Sequence, residues 1–281
     1  MPVFPLRVLC LGAALLVGTP TAPFSQTSTE RGGAAAASAV GGLPSPAERN
    51  IWYRYKDSNT VVVFVHGIFS NIRDCWHYKD STNPARSAYW PEMISRDAEF
   101  ADAGIFLAGY YTAPGSRAYD IPQSAADIHD ALVRRTRGQQ RVIDKPNIIF
   151  VAHSTGGIVV RHLLYHNQDL FKGKNVGLVL IASPSRGSYY ANYLRMLSSM
   201  FRNQMAQQLQ VNNPYLDQLH YNFRDLLARQ QDRGLLIKGI ERCENHMIVV
   251  RDLWFDDKLV VDPDSCAAYF GSCPEPTTSG P

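Results

Sequence analysis

The chain has 281 residues, 45% hydrophobic and 19% charged, enough for one large α/β domain or two small ones. Its formal charge of +3 is small and the basic residues are scattered, which argues against nucleic acid, polyphosphate or an anionic membrane surface as partner.

The chain opens MPVFPLRVLCLGAALLVG, one positive charge at Arg7 followed by an apolar stretch from Val8 to Val17 that is too short to span a bilayer. Residues 1–24 read as an export signal, although prolines surround Ala22 in the cleavage region and no small residue precedes Cys10. Residues 25–48 are small, polar and glycine-rich, with almost nothing to bury, and are expected to form a flexible linker. The folded domain then begins near Arg49. Removal of the signal leaves Cys75, Cys243, Cys266 and Cys273, and in an exported protein either a Cys266–Cys273 loop or a pairing of Cys243 is open. No CxxC pair or His/Cys cluster points to a metal.

Apolar runs of strand length alternate with helical stretches, the pattern of a mostly parallel sheet covered on both faces. The expected strands are Thr60 to Gly67, Ala103 to Tyr111, Asn147 to Ser154, Val176 to Ser183, Gly234 to Glu241 and Lys258 to Pro263. Between the second and third, Ile121, Ala125, Ile128 and Leu132 recur at helical spacing, in a helix expected to end at Gly138.

The third strand runs straight into chemistry. In IIFVAHSTGGIVV a buried-looking strand stops at Ser154, and a helix opened by two glycines follows. A nucleophilic serine on a sharp strand-to-helix turn needs small residues two before and two after it, here Ala152 and Gly156. Such a turn aims the Thr155 N–H at an oxygen that becomes negative during acyl transfer. The other donor comes from the loop after the first expected strand, where His66-Gly67 lets the chain bend back and makes Ile68 the donor. His66 itself, and His153 beside the serine, read as buried hydrogen-bonded residues.

HGIFS at 66–70, CW at 75–76, WPEMI at 90–94, GYYT at 109–112, AHSTGGIVVR at 152–161 and IASPSRGS at 181–188 together resemble the lipase-like serine esterases of the α/β-hydrolase superfamily. Relatives of the GPI inositol-deacylases belong to that branch. The resemblance runs from about Arg49 to Gly271. It implies an α/β-hydrolase fold, Ser154 as nucleophile, Ile68 and Thr155 as oxyanion donors, and ester hydrolysis without metal or organic cofactor.

In this fold the triad follows the order Ser, Asp or Glu, His. Glu241, ending the fifth expected strand, is the first candidate acid, with Glu244, Asp262 and Asp264 as rivals. The histidine is expected after the sixth strand, yet the last histidine in the chain is His246, ahead of it. Two readings follow: a fragment whose continuation supplies the base, or a hydrolase-fold binding protein without turnover. The segment from about 189 to 233, rich in Tyr, Met, Leu and Phe, falls where this fold inserts a helical cap. It offers an acyl-binding lining and a surface for transient contact with lipid, while its individual methionines read as core packing.

Overall fold

The computed structural model describes residues 42–112, 119–135, 138–186, 204–209, 212–243 and 268–270. The export signal, the expected strand Lys258 to Pro263, and Glu244, His246, Asp262, Asp264, Cys266 and Cys273 lie outside the described residues.

Eight strands are described: β1 (Ile51–Arg54), β2 (Thr60–Val65), β3 (His77–Tyr78), β4 (Ala88–Tyr89), β5 (Gly104–Ala108), β6 (Asn147–His153), β7 (Asn175–Ile181) and β8 (Leu236–Arg242). Six of them form one sheet in the order β1-β5-β2-β6-β7-β8, with β3 and β4 paired separately. All neighbours in the large sheet are parallel except β1, which runs antiparallel to β5 at the edge. Four residues of mixed character give β1 too weak a period to be read from sequence. Tertiary contact supplies what propensity does not: the buried Arg54 guanidinium donates to the Ala103 carbonyl at 3.1 and 2.8 Å, locking this strand to the entry of β5.

The helices are α1 (Trp90–Arg96), α2 (Ile121–Val133), α3 (Thr155–His166), α4 (Gln168–Phe171), α5 (Gln204–Gln208) and α6 (Pro214–Ala228). Asp120 caps α2, its carboxylate accepting from the Gln123 N–H, and Pro122 sits in the first turn. Ile121, Ala125, Ile128 and Leu132 are all buried, as their spacing predicts. The helix stops at Val133, however, short of Gly138, because Arg134 turns extended where apolar residues run out.

While the edge strand β8 leaves Leu236 and Ile240 exposed, the central parallel strands are buried on both sides. On one, Val61, Val63, Phe150, Ala152, Leu178 and Leu180 pack under α2, α3 and α6. On the other, Val62, Phe64, Val151 and Ile181 meet Ile72, Trp76 and Tyr89. Within the expected cap, α6 belongs to the first of these layers, with Leu216, Leu219, Phe223 and Leu226 buried in the same core as the sheet. Met205 of α5 is likewise buried there. Residues 187–203 of that segment lie outside the described residues.

The Phe150 ring in β6 is fully buried and meets Phe171 of α4 edge-on, 6.2 Å between centroids. Phe150→Ala is expected to destabilise the domain by about 3–5 kcal/mol, through lost burial and the cavity left behind. Urea unfolding checks this: the midpoint should fall with the slope unchanged, and an unmoved midpoint would contradict the packing described.

Candidate active site

The turn at Ser154 is built by three forces acting on one residue. Its N–H donates to the Ile181 carbonyl at 2.8 Å, carrying the β6–β7 ladder one step past the end of β6. Its backbone then swings to φ 53°, ψ −126°, and α3 begins at Thr155. A non-glycine residue in such a region costs on the order of 1–3 kcal/mol. Ser154 makes no side-chain cap bond to α3, so capping does not repay that cost.

Close approach explains the glycines. A Cβ on Gly156 would lie 2.5 Å from the His66 carbonyl oxygen and 2.6 Å from that of Val65. The first turn of α3 therefore rests directly on the backbone at the end of β2. A Cβ on Gly67 would lie 3.0 Å from the Ser154 Cβ, so the loop after β2 passes against the Ser154 side chain.

That loop is held by His66. The Tyr110 N–H donates to His66 Nε2 at 3.3 Å, so the proton sits on Nδ1, which donates to the Gly67 carbonyl at 2.9 Å. The Tyr110 hydroxyl donates to the His66 carbonyl at 2.8 Å, and the two rings stack with centroids 4.6 Å apart. Burial keeps this imidazole neutral and pushes its pKa down to about 4. Because a trans peptide sets its C=O and N–H on opposite sides, holding the Gly67 carbonyl at His66 turns the Ile68 N–H away from that ring. Among the described residues nothing accepts from the Ile68 N–H or the Thr155 N–H. The latter is one of the donors every helix leaves open at its start.

His153 points to the other side of the sheet. Its Nδ1 lies 3.5 Å from the buried Cys75 Sγ, its ring meets Trp76, and burial followed by the nearby His66 lowers its pKa to about 4. Both histidines are thus neutral; His66 is buried, as its position in sequence suggests, while His153 is only partly so.

Glu241 is buried in β8, where its Cα pairs with Leu180, itself paired with Ala152. It therefore stands two strand spacings, roughly 10 Å, from β6, level with Ala152, two residues before Ser154. Its Oε2 accepts from the N–H groups of Tyr269 and Phe270 at 2.8 and 3.0 Å, and its Oε1 has no partner among the described residues. Among the described residues no histidine hydrogen-bonds Glu241 or Ser154. The turn at Tyr269–Phe270 and the fully buried Arg161 of α3 escaped the sequence reading. Arg161 left a signal: it lies four residues after Gly157 on the core face of an otherwise apolar helix, where a charge demands a partner. Cys243, just after β8, is disulfide-bonded to a cysteine outside the described residues.

Residues 62–271 match the alpha/beta hydrolase family, and the chain belongs to it. Among solved structures it is similar to phospholipase PlaB from Legionella pneumophila, at 18% identity and a TM-score of 0.46, over 71% of this chain and 42% of that one. It is also similar to the mature lipase BlEst2 from Bacillus licheniformis, at 15% identity and a TM-score of 0.42, over 72% of this chain and 75% of that one. A lipase-esterase related protein from Clostridium acetobutylicum gives 11% identity and a TM-score of 0.36, over 75% and 82% of the respective chains. The chain spans under half the length of the Legionella phospholipase, at 42%. No curated protein matches it.

Two outcomes test this geometry. Gly156→Val should prevent α3 from seating on β2, lowering the thermal midpoint and abolishing reactivity at Ser154; a well-folded variant with a reactive serine would contradict the contact. The buried histidines set a pH dependence. His66 and His153 titrate near 4 when folded and near 6.5 when unfolded, so below 6.5 the unfolded chain binds more protons. Their contribution is complete above pH 6.5 and is lost as pH falls from 6.5 towards 4. His66→Asn should flatten that part of the stability profile, and an unaltered slope would exclude His66 as a source.

Proposed function

We propose that the chain is a serine hydrolase of carboxylic esters, working through an acyl-enzyme on Ser154. The observation that carries this reading is an uncapped serine in a strained conformation, against the Gly67 loop, with no acceptor among the described residues for the N–H groups of Ile68 and Thr155. Ser154 Oγ attacks the ester carbonyl while an imidazole takes its proton. The Ile68 and Thr155 N–H groups receive the oxyanion, the alcohol leaves with the proton, and water repeats the sequence to free the acid. Glu241 is the acid in this reading: a carboxylate with one oxygen fixed by two N–H groups and the other open can orient an imidazole and stabilise its charged form. The base is assigned to residues outside those described. Every step is nucleophilic or acid–base chemistry, so the reading assigns no metal or organic cofactor.

The substrate class is a small-molecule or lipid ester. We assign the acyl-binding role, and any transient lipid contact, to the aromatic and methionine-rich stretch ahead of α6. Export fits both the apolar N-terminal stretch and the disulfide at Cys243, since such bonds persist in oxidising compartments.

A fluorophosphonate probe should label the protein at Ser154, and Ser154→Ala should abolish labelling; labelling that survives the substitution removes Ser154 from the mechanism. Glu241→Gln should lower kcat by roughly three orders of magnitude with the fold intact. A near wild-type rate transfers the acid role to Glu244, Asp262 or Asp264. A folded protein that neither labels nor turns over any ester is a binding protein on a hydrolase scaffold.

A further inference from the structure

Outside the nucleophile's turn, the described residues hold one dense group of buried polar side chains that the proposed chemistry leaves unused. It centres on Tyr269. Arg161 of α3 has no exposed surface; its Nε donates to the Gly157 carbonyl at 3.1 Å, its Nη1 donates to the Tyr269 hydroxyl, and its guanidinium lies over the Tyr269 ring, 4.9 Å from the centroid. The same hydroxyl meets His220 Nδ1 of α6 at 2.9 Å. Since the oxygen accepts from Arg161, its own proton goes to His220, which is neutral, its pKa pushed down to about 4 by burial and then by Arg161. The ring stands edge-on to Phe223 of α6, centroids 5.2 Å apart. At its backbone end, the same residue and its neighbour donate two N–H groups to Glu241 Oε2. Phe270 in turn packs against Gly239, where an added Cβ would come within 2.6 Å of the ring.

Tyr269 thus joins three elements by directed bonds: the nucleophile's helix, α6 and the strand that carries Glu241. A carboxylate side chain has three rotatable bonds and, left alone, would sample several positions. Two backbone N–H groups, those of Tyr269 and Phe270, converge on Oε2 and hold Glu241 in one of them. The turn itself belongs to no helix or strand, and the directed bonds that anchor its tyrosine are those to Arg161 and His220.

We infer that Tyr269, held by Arg161, is a positioning residue that fixes the Glu241 carboxylate so that its open oxygen, Oε1, faces the catalytic imidazole. The inference rests on the reading of Glu241 as the acid. It couples the acid to the nucleophile through one helix: Arg161 lies seven residues after Ser154, so any shift of α3 that moves the serine also moves the clamp on the carboxylate. It also explains why a guanidinium whose Nη2 has no partner among the described residues is kept in the core, where an apolar residue of similar volume would serve packing as well.

The test is a double-mutant cycle on ester turnover by the full chain, with the rate of fluorophosphonate labelling at Ser154 as second readout. Tyr269→Phe keeps the ring and removes the hydroxyl; kcat and the labelling rate should fall about tenfold while KM stays within about twofold. Arg161→Met, which takes away the same bond from the other side, should do likewise. Combined with Glu241→Gln, either substitution should cost nothing further, because the residue acts only through that carboxylate. A lowered thermal midpoint with kcat unchanged in both variants overturns the inference, as does a loss that multiplies in full on top of Glu241→Gln. If Glu241→Gln alone leaves turnover intact, or Ser154 of the unaltered chain neither labels nor turns over ester, the underlying reading has failed, and the proposal falls with it for that separate reason.

Discussion

The arrangement depends on how closely the first turn of α3 rests on the end of β2. With the Gly156 Cα against two consecutive carbonyls, the helix axis can approach the sheet only because no side chain stands at that point. That approach forces the chain through the left-handed conformation at Ser154, and it brings the turn up against Gly67, so the placements of Ser154 and of the loop after β2 come from the same contact. The strain at the serine is repaid by the packing of the whole helix: Ile158, Val159, Leu163 and Leu164 are buried against the sheet and its neighbours. At about 1.5–3 kcal/mol for each such side chain, the burial outweighs one strained residue several-fold.

Around this contact the buried histidines have a structural task. His66 exists as one tautomer because Tyr110 gives it a proton donor on one side and the Gly67 carbonyl an acceptor on the other. An imidazole serves here because it donates and accepts from two fixed edges while stacking on an aromatic ring; that combination orients a peptide without adding charge to the core. Polarity at the acid end is arranged differently, through a charged group, Arg161, that spans from the helix backbone to a tyrosine.

Much of the fold was legible because the parallel strands carry runs such as VVVFV and IIFVA, which no solvent-facing element would tolerate, bounded by glycine or by a change to helical period. The turn at Ser154 was legible because steric demands at Ala152 and Gly156 restrict residue type, and such restrictions can be read one residue at a time. The short edge strand β1 could not be read, since its pairing rests on Arg54 reaching carbonyls more than forty residues away. Nor could the clamp on Glu241, which joins residues 161, 220, 241 and 269 by contacts that leave no period or spacing in the chain. Gly138 is not the stop of α2, because the helix ends where its apolar face does, at Val133. Sequence shows local steric necessity well and long-range polar pairing poorly.

The central claim is that Ser154 becomes acylated by ester substrate. Intact-mass measurement after rapid mixing with an activated short-chain ester, followed by peptide mapping of the adduct, tests it most directly. The account predicts a single acyl group on the peptide containing Ser154, formed in step with release of the alcohol and discharged by water. An acyl group found on any other residue, or alcohol released with no acyl-protein formed under conditions that trap it, would contradict it.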